Sequence, residues 1–220
     1  MLQRGNGAEH EIQILDIDTY LIKTKLDEIG RKVHERKKYI VTYFYSPDST
    51  TFIRIRDENG IITLTKKILS KTGPADEYEI KLSSDTKYKD AVSFASNIVQ
   101  NDYRKIVVEK YRTKWEIPGK CHEIALDEWP GIPEYLEIEC NSPDDINDVV
   151  KNLELSEKKQ FTRGAFDIYT YYYGMPDRLV LFNLNLQFSN IGEVLKKYVT
   201  KNENELINLQ NKYNESPHYK

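Results

Sequence analysis

Like charges two residues apart recur along this chain: Glu9 and Glu11, Arg54 and Arg56, Glu77 and Glu79, Lys110 and Arg112, Glu137 and Glu139. Thr63, Thr65 and Lys67 keep the same spacing, and Glu123 and Asp127 share its parity. Clustered carboxylates without His or Cys beside them favour hard divalent cations held through oxygen, Mg2+ or Mn2+. Arg and Lys favour phosphate oxygens, Arg through a two-pronged fork and Lys as a point charge. Acids and bases in one cavity therefore predict a metal-bound polyphosphate as the ligand. A single such pair would ordinarily be the watered face of a sheet. Repetition argues otherwise, because like charges aligned along a strand repel and make wasteful surface decoration.

The elements that must position these side chains follow from the same alternation, since a spacing of two puts residues on one face of a strand. Glu9 to Leu15, Tyr39 to Tyr45, Phe52 to Arg56, Ile61 to Leu69, Glu77 to Leu82, Lys105 to Trp115, Cys121 to Asp127 and Glu134 to Cys140 read as eight strands. Asp57-Glu58-Asn59-Gly60 and Pro118-Gly119-Lys120 are turn signals between neighbours in that series. Asp16 or Asp18 caps a helix carrying Leu21, Ile22, Leu26 and Ile29, which Gly30 stops. Ser84 or Asp85 opens a second helix, running to about Gln100. Ser142-Pro143-Asp144-Asp145 opens a third, with an N-cap serine, a proline at the first helical position and acids in the first turn. From Ser189 to about Tyr213 the pattern is that of an amphipathic helix with a break signal at Lys201-Asn202-Glu203-Asn204, and Asn214 to Lys220 reads as a loose tail. The expected fold class is α+β: an eight-stranded antiparallel β-barrel with flanking helices, polar inside, of the size that holds one small ligand. The barrel domain is expected over residues 1–175, with 176–220 as a C-terminal helical extension packed on or near it.

Composition removes several other classes. The 220 residues include 32 Lys and Arg against 35 Asp and Glu, a net charge of −3, and the pI is about 5.9. That balance argues against nonspecific nucleic-acid binding and against a polybasic membrane binder. The mean hydropathy is −0.65, yet 39% apolar and 11% aromatic residues can fill a core. No stretch approaches the roughly 20 apolar residues of a membrane span, and the first ten residues lack the apolar middle of a signal peptide. The expectation is a soluble, cytoplasmic protein, monomer or homodimer. Cys121 and Cys140 are too few for a disulfide scaffold or a four-thiolate zinc site and read as two reduced structural thiols. His10, His34, His122 and His218 show no metalloprotease spacing, and His10 and His122 are expected on outward strand faces. Neither a phosphate-binding Gly loop nor a dinucleotide fingerprint is present. Tyr169-Thr170-Tyr171-Tyr172-Tyr173 offers rings for stacking a nucleobase, although such a run is more often packing.

Taken in order, Glu9-x-Glu11, Arg54-x-Arg56, Leu64-Thr65-x-Lys67, Glu77-x-Glu79, Lys110-x-Arg112, Asp127 and Glu137-Ile138-Glu139 resemble the CYTH group of triphosphate tunnel metalloenzymes, over about residues 8 to 170. The run from Trp129 to Glu139 is similar to the last barrel strand of CYTH proteins described as class IV adenylate cyclase-like; thiamine triphosphatases are another branch. The resemblance implies a triphosphate tunnel, with Mg2+ or Mn2+ on Glu9, Glu11, Glu137 and Glu139 and contributions from Glu77, Glu79 and Asp127. Arg54, Arg56, Lys67, Lys110 and Arg112 would contact phosphate, and Glu9, Glu11, Lys67, Glu137 and Glu139 would carry the chemistry. The implied activity is metal-dependent removal of the γ-phosphate from tripolyphosphate, a nucleoside or thiamine triphosphate, or an RNA 5′-triphosphate end. Cyclisation of ATP to cyclic AMP and pyrophosphate, or binding of a nucleotide without turnover, are the alternatives. One position departs from the pattern. The family opens Glu-x-Glu-x-Lys, and here the third residue is Gln13, which keeps a hydrogen-bond donor but loses the charge unless Lys81 or Lys114 supplies it.

Overall fold

A computed structural model describes residues 3–4, 10–69, 76–99, 101–162, 164–176 and 178–219, so that Glu9 lies outside the described residues. In chain order the elements are β1 (Gln3–Arg4), β2 (His10–Ile14), α1 (Thr19–Ile29), β3 (Arg31–Tyr45), β4 (Thr51–Glu58), β5 (Ile61–Ile68), β6 (Asp76–Lys81), α2 (Tyr88–Ile98), β7 (Arg104–Ile117), β8 (Cys121–Glu128), β9 (Tyr135–Cys140), α3 (Pro143–Asn152), β10 (Gln160–Phe161), α4 (Ala165–Tyr173), α5 (Ile191–Leu195) and α6 (Glu203–Glu215). All eight expected strands form, and two short ones join them. The ladders β1–β6, β6–β5, β5–β4, β4–β3, β7–β8, β8–β9, β9–β2 and β2–β10 are antiparallel. Helices flank the strands, which is the α+β class read from the sequence.

The chain divides into two compact units, one built mainly from Lys38–Glu109 with Leu179–Gln187, the other from Glu9–Lys37, Lys110–Arg178 and Phe188–Lys220. In the first, the strand order is β1-β6-β5-β4-β3; in the second it is β7-β8-β9-β2-β10. Residues of β3 and β7 belong to both units.

Within each unit the strands present one apolar and one polar face. In the first unit Phe44, Ile55 and Ile62 pack with Ala91 and Ala95 of α2. Small residues on that helix let it approach the sheet closely. In the second unit Ile12, Ile14, Ile124, Leu126, Leu136 and Ile138 pack against Ile22 and Leu26 of α1 and Ile146, Val149 and Val150 of α3. α1 starts where the Asp18 side chain accepts from the Leu21 amide, and α3 starts where Ser142 accepts from Asp145. Both starts were legible in the sequence. α2 begins later than expected, because Ser83 first turns the chain: its carbonyl takes the Thr86 amide.

Two sequence expectations are corrected. Cys121 and Cys140 are joined by a disulfide, not held as reduced thiols. Neighbouring antiparallel strands bring the pair together at one end of β8 and β9, a proximity across 19 residues of chain that cysteine counting does not reveal. The tail is docked, not loose. Tyr219 packs its ring against Tyr111, Phe188 and Tyr213 and donates its hydroxyl to Glu128, while the Tyr111 hydroxyl donates to the His218 carbonyl at 2.6 Å. The last helix is broken, earlier than expected: residues 196–202, ending in Asn202 at φ +59°, separate α5 from α6.

Candidate functional site

The polar face of the second unit is a grid of side chains set by register. Glu123 on β8 stands opposite Glu139 on β9, and Glu139 stands opposite Glu11 on β2. In the next row Lys114, Ala125, Glu137 and Gln13 stand side by side, and beyond it Arg112, Asp127 and Tyr135. The row of three glutamates places like charges at the closest cross-strand spacing, which opposes folding unless something offsets it.

Arg112 binds this face together. It is only 3% exposed, and it grips Asp127 with both prongs, Nε to Oδ1 at 2.5 Å and Nη2 to Oδ2 at 2.6 Å. The same guanidinium donates to Glu137 at 2.6 Å and to Glu123. Lys110 donates to Asp127 at 2.8 Å, Lys114 donates to Glu123, and the Trp129 indole reaches Asp127 at 3.2 Å. Burial disfavours the charge on Asp127, but Arg112 and Lys110 outweigh it and hold the carboxyl well below the usual range. Burial and the neighbouring Arg112 lower the Lys110 pKa in spite of Asp127 and Glu137. Burial, with Asp127 and Glu137 close by, pushes the Tyr135 phenol well up and keeps it protonated.

A pH effect follows from Asp127. Its folded pKa lies below its unfolded one, so the ionised carboxylate stabilises the fold above about pH 4 and that contribution is lost as acid protonates it. Urea unfolding midpoints measured from pH 6 to pH 2 should therefore fall steeply below about pH 4, and Asp127→Asn should flatten that limb. An unchanged limb would exclude this carboxylate as its source.

The first unit carries the second polar face. Tyr43, Arg54, Thr65 and Glu79 form one row across β3, β4, β5 and β6; Lys67 and Glu77 pair in another. Arg54 donates to Thr65, Glu77 and Glu79, each at 3.2 Å. Arg56 lies 3.5 Å from Glu79, and Lys67 lies 2.9 Å from Glu77. Burial works against the Arg54 charge, but Tyr43, Glu77 and Glu79 raise its pKa overall. Glu77 and Glu79 thus appear as partners of the basic residues.

The predicted residues are therefore grouped in two sets: Glu11, Lys110, Arg112, Asp127, Glu137 and Glu139 in one, Arg54, Arg56, Lys67, Glu77 and Glu79 in the other. Sequence reasoning left three contributors out of the site. Glu123 completes the glutamate row; it was read on the polar face with Asp127 but given no role. Trp129 reaches Asp127 from the β8–β9 turn. His122 is exposed, as expected of an outward strand face, and its ring still lies 2.8 Å from Glu139. Of the two lysines considered for the charge that Gln13 lacks, Lys114 stands on the grid in Gln13's row, whereas Lys81 is exposed at the end of β6.

The β8–β9 turn is held by tyrosines. Tyr169 donates to the Pro130 carbonyl at 2.5 Å, Tyr173 donates to the Gly131 carbonyl, and the Tyr213 hydroxyl accepts from the Gly131 amide at 3.1 Å. Tyr169 and Tyr173 are fully buried, so part of the tyrosine run is packing that fixes Trp129. Gly131 has φ +82°, and a Cβ there would come within 2.8 Å of Ile191, so only glycine fits.

The fit of a metal rests on the donor chemistry. Glu11, Glu139 and Glu123 offer oxygen ligands in adjacent strands, which suits a hard cation. Among the described residues, no three acidic, His or Cys side chains converge closely enough to hold one as they stand, and Glu123 is turned toward Arg112 and Lys114.

A family model described as the CYTH domain matches residues 7–165. The PH1012 protein of Pyrococcus horikoshii OT3 has a similar structure, with 19% identity, a TM-score of 0.56, and coverage of 69% of this chain and 94% of that one. A protein of Vibrio parahaemolyticus named as a candidate adenylate cyclase matches with 16% identity and a TM-score of 0.59 over 74% of this chain and 98% of its own. The PH1819 protein of Pyrococcus horikoshii OT3 matches with 21% identity and a TM-score of 0.53 over 74% and 99%. These likenesses are to the fold. No curated protein matches the chain. Among the described residues, no helix is long and apolar enough to cross a membrane.

Proposed function

The chain belongs to the CYTH family, and on that premise we propose that it is a divalent-metal-dependent phosphohydrolase removing the γ-phosphate of a triphosphate. The observation that carries this reading is the glutamate row Glu11–Glu139–Glu123 lying beside buried Arg112 and Lys110 on one face. Arg112 and Lys114 hold Glu123 and His122 meets Glu139, and a divalent cation would offset the negative charge that remains on the row. Glu11, Glu137 and Glu139, with Glu9, would hold Mg2+ or Mn2+. When bound, the cation neutralises phosphate oxygens. On the polar face of the second unit Lys110 and Arg112 would contact phosphate oxygens and stabilise charge developing on the leaving diphosphate. Water attacks the γ-phosphorus in line, its new P–O bond forming as the bond to the β-phosphate bridge breaks.

The substrate is a small triphosphate: tripolyphosphate, a nucleoside or thiamine triphosphate, or an RNA 5′ end. In this reading residues 1–175 are the catalytic domain, and 176–220 brace it. The enzyme works in the cytoplasm as a monomer or homodimer.

Incubation with ATP and Mn2+, followed by chromatography of the products, tests the reading. ADP and orthophosphate are expected. Cyclic AMP with pyrophosphate would replace hydrolysis by cyclisation, and tight binding without product would make the protein a sensor.

A further inference from the structure

Two hydrogen-bond donors on the polar face of the second unit are buried without a partner among the described residues: the Tyr135 hydroxyl and the Gln13 side-chain nitrogen. Both residues are 0% exposed. The Gly164 amide donates to Gln13 Oε1 at 3.1 Å, which settles which end of the amide is acceptor and leaves Nε2 as the idle donor. Register puts both donors around one acid. Gln13 stands directly opposite Glu137, and Tyr135 precedes Glu137 by two residues on the same face, opposite Asp127. The acids beside them are engaged elsewhere, Asp127 by Arg112, Lys110 and Trp129 and Glu137 by Arg112.

An unsatisfied buried donor is a cost to the fold, and two around one carboxylate ask for an acceptor that arrives from outside. We propose that Tyr135 and Gln13 bind oxygen atoms of the substrate's phosphates, as the uncharged part of the site; this rests on the triphosphate reading above. Their neutrality has a consequence. A cationic side chain opposite Glu137 would compete with Arg112 for that carboxylate, whereas an amide donates to a phosphate oxygen and adds no further positive charge beside it. Tyr135 and Gln13 are thus substrate-binding residues whose donated hydrogen bonds form only with the ligand present.

Tyr135→Phe removes the hydroxyl and nothing else, and the readouts are melting temperature without ligand and affinity for diimidotriphosphate, a hydrolysis-resistant tripolyphosphate, with Mn2+ by calorimetry. The variant should melt at or above the wild-type temperature, while its affinity falls about tenfold, as for a lost hydrogen bond to a charged group. Gln13→Met should weaken affinity as well, and if it fails to fold, Tyr135→Phe decides alone. Affinity equal to wild type in Tyr135→Phe would overturn the proposal, and so would a lowered melting temperature without ligand, which would mean the hydroxyl already serves the fold. Failure of the wild type to bind the probe would instead overturn the triphosphate reading itself.

Discussion

Arg112→Ala should lower stability by about 3–5 kcal/mol and abolish phosphate release. The side chain satisfies Asp127, Glu137 and Glu123 together, and Asp127 is completely buried. Removing the guanidinium leaves buried Asp127 with Lys110 and Trp129 alone and takes a partner from Glu137 and Glu123, which costs far more than the net worth of the original pair. The cause can be isolated. If the loss comes from stranding Asp127, then Arg112→Ala combined with Asp127→Asn should be more stable than Arg112→Ala alone, a coupling visible as non-additivity in denaturant midpoints. Arg112→Lys should fall between, because an ammonium keeps the charge but loses the fork that grips both Asp127 oxygens. A double variant no more stable than the single would show that the loss comes from packing.

Glu139→Ala and Glu11→Ala should each reduce Mn2+-dependent phosphate release by at least about 100-fold, while denaturant midpoints shift by no more than about 1 kcal/mol. The asymmetry is the point of the pair. Glu139 stands between Glu11 and Glu123, so deleting any member of the row relieves like-charge repulsion across the strands even as it removes a ligand. Residues that cost stability and are needed for activity belong to a site, not to a scaffold. Metal titration by calorimetry checks the mechanism: Mn2+ affinity should fall in both variants. Undiminished release in both would remove this row from the metal site.

Much of the fold and part of the site was legible in the amino-acid sequence, for a specific reason. Alternation of polar and apolar residues is both a strand signal and a face signal, so the runs around Arg54 and Glu137 disclosed element and orientation together. Where alternation stops, the reading stops. Arg31 to Lys38 form the first half of β3, but they are nearly all charged and largely exposed, so no periodicity marks them. α4 is aromatic on most sides because it is clasped between the β8–β9 turn and its surroundings, and it has no polar stripe to show a helical period. Pairing is the deeper limit. Sequence placed Arg112 and Asp127 on one face, but that a single guanidinium would take three carboxylates depends on register across β7, β8 and β9. The disulfide and the docked Tyr219 are likewise contacts between distant segments. Gln13 was visible as a departure, and its meaning emerged only with its burial and the Gly164 amide.

The most direct test of metal-dependent triphosphate hydrolysis uses tripolyphosphate, which offers no ribose to cyclise and no base to bind. Wild-type protein with Mn2+ should release orthophosphate and pyrophosphate in equal amounts, and excess chelator should stop the reaction. Release of neither product in Mn2+ or Mg2+, or release that continues unchanged in chelator, would contradict the account.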